Sequence, residues 1–162
     1  MTQIIDQSGA TGQALPDRLV KTIVLGVDGS PESAYATGWV ANLAAGIGAR
    51  VVMIRALSTM DGLVNDGFRI DPRRNWRQEM RRQIHGDWAR PLREMNVEHK
   101  TRLVEKTPGP AILMAATEEH ADLIAVGSHH QRRLSAYLSH HATCPVVAIP
   151  MLTPVAGEPS SS

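Results

Sequence analysis

The chain has 162 residues, of which 43% are hydrophobic and 20% charged, and its formal net charge is +1. That length suits one domain, and the composition is that of a folded globular protein, not of a disordered or collagen-like chain. The near-neutral balance excludes a global field that would draw the chain to nucleic acid or to an anionic membrane, so any basic site must be local.

Cys144 is the single cysteine, which excludes an intrachain disulfide framework and fits a reducing compartment. The N-terminal stretch MTQIIDQSGATGQALPDR lacks the basic segment followed by an apolar one that a secretory signal requires. No apolar run approaches the roughly 20 residues needed to span a bilayer. The expected location is therefore cytoplasmic, with neither a membrane nor a nucleic acid as partner.

Residues 1–19 and 151–162 are rich in Gly, Ser, Thr and Gln or Pro without apolar periodicity, and both are expected to be flexible tails around a domain at 20–150. Ile23 to Val27 is a continuous apolar strand of the kind covered on both faces, and Asp28-Gly29-Ser30-Pro31 ends it. Ser30 is the expected N-cap, with Pro31 at the first helical position, of a helix running to about Ala45 and closed by Gly46 and Gly48. Val51 to Ala56 is a second buried strand.

Leu57 to Arg74 is a loop bearing Asp, Gly and Asn, long enough that a functional or partly helical segment is expected. Trp76, Met80, Ile84, Trp88 and Leu92 then recur every fourth residue as the buried stripe of a helix, with Arg73, Arg77 and Arg81 on a neighbouring face. Gly86 and Pro91 should kink or divide it. Val97 to Val104 alternates like a more exposed strand, and Pro108, Gly109 and Pro110 turn the chain into a helix from Ala111 to His120. Leu123 to Val126, a short helix from Arg132 to His141, and the strand Val146 to Ile149 complete the series. Five strands with four intervening helices predict a three-layer, doubly wound, five-stranded parallel α/β sheet of Rossmann-like type.

In such a sheet ligands bind beyond the carboxyl ends of the strands, where strand order reverses. The candidate crevice is formed by Gly26, Val27, Asp28, Ala56, Val126, Gly127, Ser128, His129 and His130. Asp28 as a phosphoacceptor or general base lacks a second acidic residue beside it and a suitable lysine, which favours a turn acid. The pairs His129-His130 and His140-His141 have no HxxxH or CxxC partner spacing, so a basic helix end is preferred over a metal site. Cys144 reads as a small buried hydrophobe. Arginines 73, 74, 77, 81, 82, 90 and 93 form the one concentrated basic region, a solvated helix face in the simplest reading.

Three segments, KTIVLGVDGSPES, PGPAILMAATEEHADLIAVGS and HATCPVVAIP, resemble the universal stress protein family in the family's order, and with the intervening helix the resemblance covers about Lys21 to Pro150. The resemblance implies the adenine nucleotide alpha hydrolase-like fold, a stress-response role, a homodimer and, in many members, ATP or AMP binding. In nucleotide-binding members the acid after the first strand contacts the adenine and a glycine-rich stretch after the fourth strand wraps the phosphates. Asp28 and Gly127 match those two features.

The rest of that stretch departs from the pattern. His130 and His140 stand where further glycines belong, and His141 stands where Ser or Thr belongs. The connection from His129 to Thr143 is also shorter than usual. Glycine matters there because backbone N–H groups approach phosphate closely only where no Cβ intervenes. The expectation is a stress protein that dimerises and binds a partner or ligand without the usual ATP mode. The alternative is ATP or AMP binding in which the histidine-rich loop, with Arg132 and Arg133, replaces the glycines.

The resemblance also implies dimerisation through the last strand, Val146, Val147, Ala148 and Ile149. This strand would lie at a sheet edge with unpaired backbone groups. An enzyme reading finds no paired nucleophile and base, no Walker loop and no GxGxxG fingerprint in the sequence.

Overall fold

The computed structural model describes residues 20–57, 72–128 and 132–152. The expected tail at 1–19, most of the loop read at 57–74 and most of the C-terminal tail lie outside the described residues. The elements in chain order are β1 (Thr22–Val27), α1 (Pro31–Ile47), β2 (Arg50–Ala56), α2 (Pro72–Gln83), a π-helical turn (Ile84–Trp88), α3 (Arg90–Glu94), β3 (His99–Val104), α4 (Pro108–Glu118), β4 (Leu123–Gly127), α5 (Arg132–His141) and β5 (Val146–Ile149). The five strands form one parallel sheet in the order β3-β2-β1-β4-β5. The chain winds outward from β1 in both directions, as the alternation of strand and helix signals predicts.

β1 sits at the centre and all six of its residues are buried. Successive side chains leave opposite faces, which splits the interior into two cores. Ile23, Leu25 and Val27 join Val51, Met53, Val40 and Leu92 under α1 and α3. Val24, Val52, Ile54, Ile124 and Val126 join Ile112, Ala115 and Leu138 under α4 and α5.

α1 begins as expected. The Ser30 side chain accepts the Ser33 N–H at 3.1 Å and Pro31 opens the helix, which runs to Ile47, past the expected Ala45, before Gly48 turns left-handed at φ 70°. The stripe from Trp76 to Leu92 does not lie on one straight helix. Residues spaced by four drift about 40° per step on a 3.6-residue turn, and the π-helical turn Ile84–Trp88 takes up the mismatch before Ala89 separates off α3. Ile84, Ala89 and Leu92 are fully buried, whereas Trp76, Met80 and Trp88 are half-buried. The Arg93 guanidinium donates to the carbonyls of His85 and Gly86, fastening the turn, so Arg93 is structural and not simply solvated. Arg77 pairs with Glu105, Arg82 with Glu79 and Arg90 with Glu94.

The bounds of β3 and α4 also differ from the sequence expectation. β3 starts at His99, because Asn96 turns left-handed at φ 52° and the Val97 N–H returns to the Leu92 carbonyl at 2.8 Å, making Val97 the closing contact of α3. α4 spans Pro108–Glu118 instead of Ala111–His120. Its prolines serve as first-turn residues after Thr107, and His120 is left-handed at φ 52°.

At the amino end of the sheet, Glu119 gathers three cations. It accepts from Lys100 Nζ at 2.8 Å, Arg102 Nη1 at 3.3 Å and Arg50 Nη1 at 3.4 Å, while its own side chain is 11% exposed. The Lys100 hydrogen bond, and then the charges of Lys100, Arg50 and Arg102, outweigh burial and hold the Glu119 carboxyl below the usual glutamate range. A lowered carboxyl contributes stability above its unfolded value that fades as pH falls through the folded one. Glu119→Gln is therefore expected to cost about 1–2 kcal/mol in urea denaturation at neutral pH. The gap to wild type should close as the medium is acidified below the ordinary glutamate range.

Candidate functional site

The site lies where β1, β2 and β4 end and the winding direction changes. β1 runs out at Val27, and the next residues make a tight turn into α1. Asp28 Oδ1 accepts the Ser30 N–H at 2.9 Å, the side-chain turn that aspartate forms readily. Gly29 has φ +82°, and a Cβ there would run into the indole ring of Trp88. Only glycine satisfies both demands, so the turn after β1 and the π-helical turn are fitted to one another.

Arg55 extends from the end of β2 toward the same place. Its guanidinium lies 5.9 Å from the centroid of the Trp88 ring, within cation–π range, and among the described residues its buried Nε has no hydrogen-bond partner. Burial by itself would raise the Asp28 carboxyl. The hydrogen bonds from Ser30, that from Ser33 and the positive charge of Arg55 outweigh it and hold the group below the usual aspartate range. Asp28 is thus an ionised acceptor already engaged with the start of α1.

Asp28, Ser30, Ser33 and Arg55 border a partly open cavity of about 40 Å³. Gly26, Val27, Asp28, Ala56 and Gly127 of the expected crevice line it. Val126 lies beneath it in the core, and the Ser128 N–H is spent on the Ile149 carbonyl at 3.0 Å, tying β4 to β5. His129 and His130 lie outside the described residues. A Cβ on Gly127 would lie 3.0 Å from the Glu32 carbonyl oxygen, so this glycine serves the close approach of β4 to the first turn of α1. The opposite wall is Ile112 of α4 and Leu134 of α5. Sharing Pro108 and Leu134 with this cavity, a wider groove of about 480 Å³ opens between the start of α4 and α5, bordered by Arg133 and Tyr137.

Sequence reasoning missed Arg55 and Trp88. The signal for Arg55 was present, since it is the lone charge inside the apolar run Val51 to Ala56. Trp88 belongs to the expected stripe and is half-buried, but nothing in its spacing shows that it would reach across to Gly29. On the other side of the sheet end, Tyr137 stacks on His141 with centroids 4.3 Å apart, and the His140 and His141 rings meet edge to face at 5.0 Å. Cys144 is half-buried, and burial, aided by Asp122, pushes its thiol up, away from the reactive thiolate.

Comparison with known proteins adds the decisive observation. The sequence model of the universal stress protein family matches residues 20–150. The chain belongs to the universal stress protein family. A solved member from Burkholderia pseudomallei is 29% identical, with a TM-score of 0.65 over 82% of this chain and 97% of that one. The universal stress protein of Archaeoglobus fulgidus in complex with dAMP is 20% identical with a TM-score of 0.61, covering 80% of this chain and 97% of that one. An Arabidopsis thaliana family protein with AMP bound is 18% identical with a TM-score of 0.62, covering 84% and 97%. At these last two identities the likeness is one of fold. A search of curated proteins returned no match. No helix among the described residues is long and apolar enough to cross a membrane.

The fit of Trp88 to Gly29 has a measurable consequence. Gly29→Ala forces a Cβ into a left-handed residue and into the indole, and should cost about 1–3 kcal/mol of stability. Its tryptophan emission should shift relative to wild type, and that shift should be absent in a Trp88→Phe background.

Proposed function

We propose that this universal stress protein is a cytoplasmic stress-response protein that works as a homodimer binding a partner or ligand, and that it does not take ATP in the mode usual for the family's nucleotide binders. The observation that carries the reading is the crevice. Its volume of about 40 Å³ holds a few waters, whereas small-molecule sites run from about 300 Å³ upward. Asp28, the match to the adenine-contacting acid, is turned onto the Ser30 N–H, and Gly127 is packed against Glu32. The single, half-buried cysteine agrees with a reducing cytoplasm.

The dimer reading rests on the free edge of β5. Among the described residues no strand pairs with its outer side. The carbonyls of Pro145 and Ile149 accept from Ile124 and Ser128, so in a parallel ladder the backbone groups of Val146 and Ala148 point outward. Such an edge is a template for a second strand.

A second reading, AMP or ATP binding, is favoured by the adjoining groove. Its volume of about 480 Å³ suits a nucleotide, Arg133 borders it, and the Archaeoglobus and Arabidopsis relatives were solved with dAMP and AMP.

Calorimetric titration of the purified protein with ATP, AMP and cyclic AMP, with Asp28→Ala as control, separates the two. Silence with all three is the expected outcome. Micromolar ATP binding lost in Asp28→Ala would overturn the first reading, and micromolar binding kept in Asp28→Ala but lost in Arg133→Ala would place the nucleotide in the groove.

A further inference from the structure

Between Arg132 and Thr143 the chain carries no acidic residue. Arg133, Tyr137, His140 and His141 fall within about 100° of one another around α5, on the flank turned toward the start of α4, while Leu138 is fully buried against the sheet. The Tyr137 ring lies so close to Gly109 of α4 that a Cβ there would overlap it, yet the residue is 38% exposed. His141 Nδ1 donates to the Tyr137 carbonyl at 2.9 Å, which fixes the imidazole in its stack on the phenol ring, and His140 meets His141 edge to face. Three rings are thus held along one side of the helix before any ligand arrives.

The acids nearest this face are already engaged. α4 has no charge before Glu118, which pairs with Arg102, and Glu119 sits among its three cations. Glu105, just ahead of the groove wall, is taken by Arg77. Arg132 and Arg133 form no ion pair among the described residues, and Lys106, next to Thr107 in the chain, is exposed. The near-neutral chain allows only a local basic site, and this face is one. Beside it runs the groove of about 480 Å³, apolar through Pro108, Pro110, Leu134 and Tyr137, with the Arg133 guanidinium at its rim.

We infer that this face binds single-stranded nucleic acid, with a base in the groove, its neighbours stacked on the Tyr137 and His141 rings, and Arg133 on a phosphate. Aromatic rings take the π-face of any base, and a guanidinium fork matches phosphate oxygens. From Arg133 to His141 the face runs about 12 Å, the length of about three stacked nucleotides. Other occupants use only part of it. An acidic peptide would engage the arginines and leave the rings and the groove idle, a duplex hides its base faces, and a mononucleotide would fill the groove without reaching His140. The flank is turned to α4, which lies over β1 and β2, and so away from β5. It therefore stays open whether or not β5 edges pair, and the inference requires no nucleotide in the crevice.

Fluorescence anisotropy of fluorescein-labelled oligouridylate and oligodeoxythymidylate, titrated with the full chain, tests the inference, with circular dichroism melts confirming that each variant folds. A dissociation constant on the order of 10 μM is expected at about 50 mM salt. Tyr137→Ala should weaken binding about tenfold or more, and Tyr137→Phe, which keeps the ring, should bind like wild type. Arg133→Ala should weaken binding and flatten the dependence of log affinity on log salt by about 0.7. Arg81→Ala, at an exposed arginine of α2 far from α5 in the chain, should leave binding unchanged. Binding of either oligomer supports the inference, and the tighter of the two names the strand it takes.

No anisotropy change with protein at about 0.5 mM in about 50 mM salt would overturn it. So would equal affinity for a duplex of the same sequence length or for polyglutamate, or wild-type affinity in Tyr137→Ala, because each result leaves the rings without a part in binding. Calorimetric binding of AMP that is lost in Arg133→Ala, with no binding of either oligomer, would overturn this inference and leave the second reading above intact.

Discussion

Everything in this molecule is arranged around a central strand that has no face to spare. β1 is buried along its whole length, with neighbours on both edges and helices on both sides. A parallel strand in that position can be built only from small and branched apolar residues, and its side chains divide the interior into two cores. The same central placement makes the end of β1 the point where the chain turns both ways, which is why the candidate crevice opens there and nowhere else along the sheet.

Beside that opening the ring of Trp88, carried by the π-helical turn, seats on Gly29, and Arg55, which lines the opening, approaches the ring. Asp28 is held ionised by Ser30, Ser33 and Arg55. The crevice therefore consists of groups that already satisfy each other, apart from the buried Nε of Arg55. Families keep a fold while the contents of its ligand site change, because stability is set by the cores and the site by a few residues at strand ends.

The edge of β5 and a flank of α1 share one property, the absence of charge. Among the described residues the outer edge of β5 carries unpaired backbone groups, and α1, on the face of the sheet opposite α5, presents an uncharged flank. Elsewhere several charges form ion pairs, as in the Glu119 cluster at the opposite end of the sheet and the arginine pairs of α2 and α3.

The residue pattern by itself determined the architecture. Apolar runs of strand length, the Ser-Pro start of α1 and the Gly and Pro punctuation placed five strands and their helices within a few residues, because burial and backbone geometry are local demands read at fixed periods. The family was legible from three short segments, which hold β1 with the turn after it, α4 with β4, and β5. The positions of Gly26, Val27, Asp28, Ala56 and Gly127 around one opening also followed from strand order. Tertiary structure alone decided what fills that opening and which surface is left uncovered. The meeting of Trp88, Gly29 and Arg55 joins residues far apart in the chain through a half-turn irregularity that no period encodes. The exposure of Tyr137 depends on how α5 comes to lie against the start of α4. Contacts of that kind are settled by how whole elements pack, not by any property of the segments that supply them.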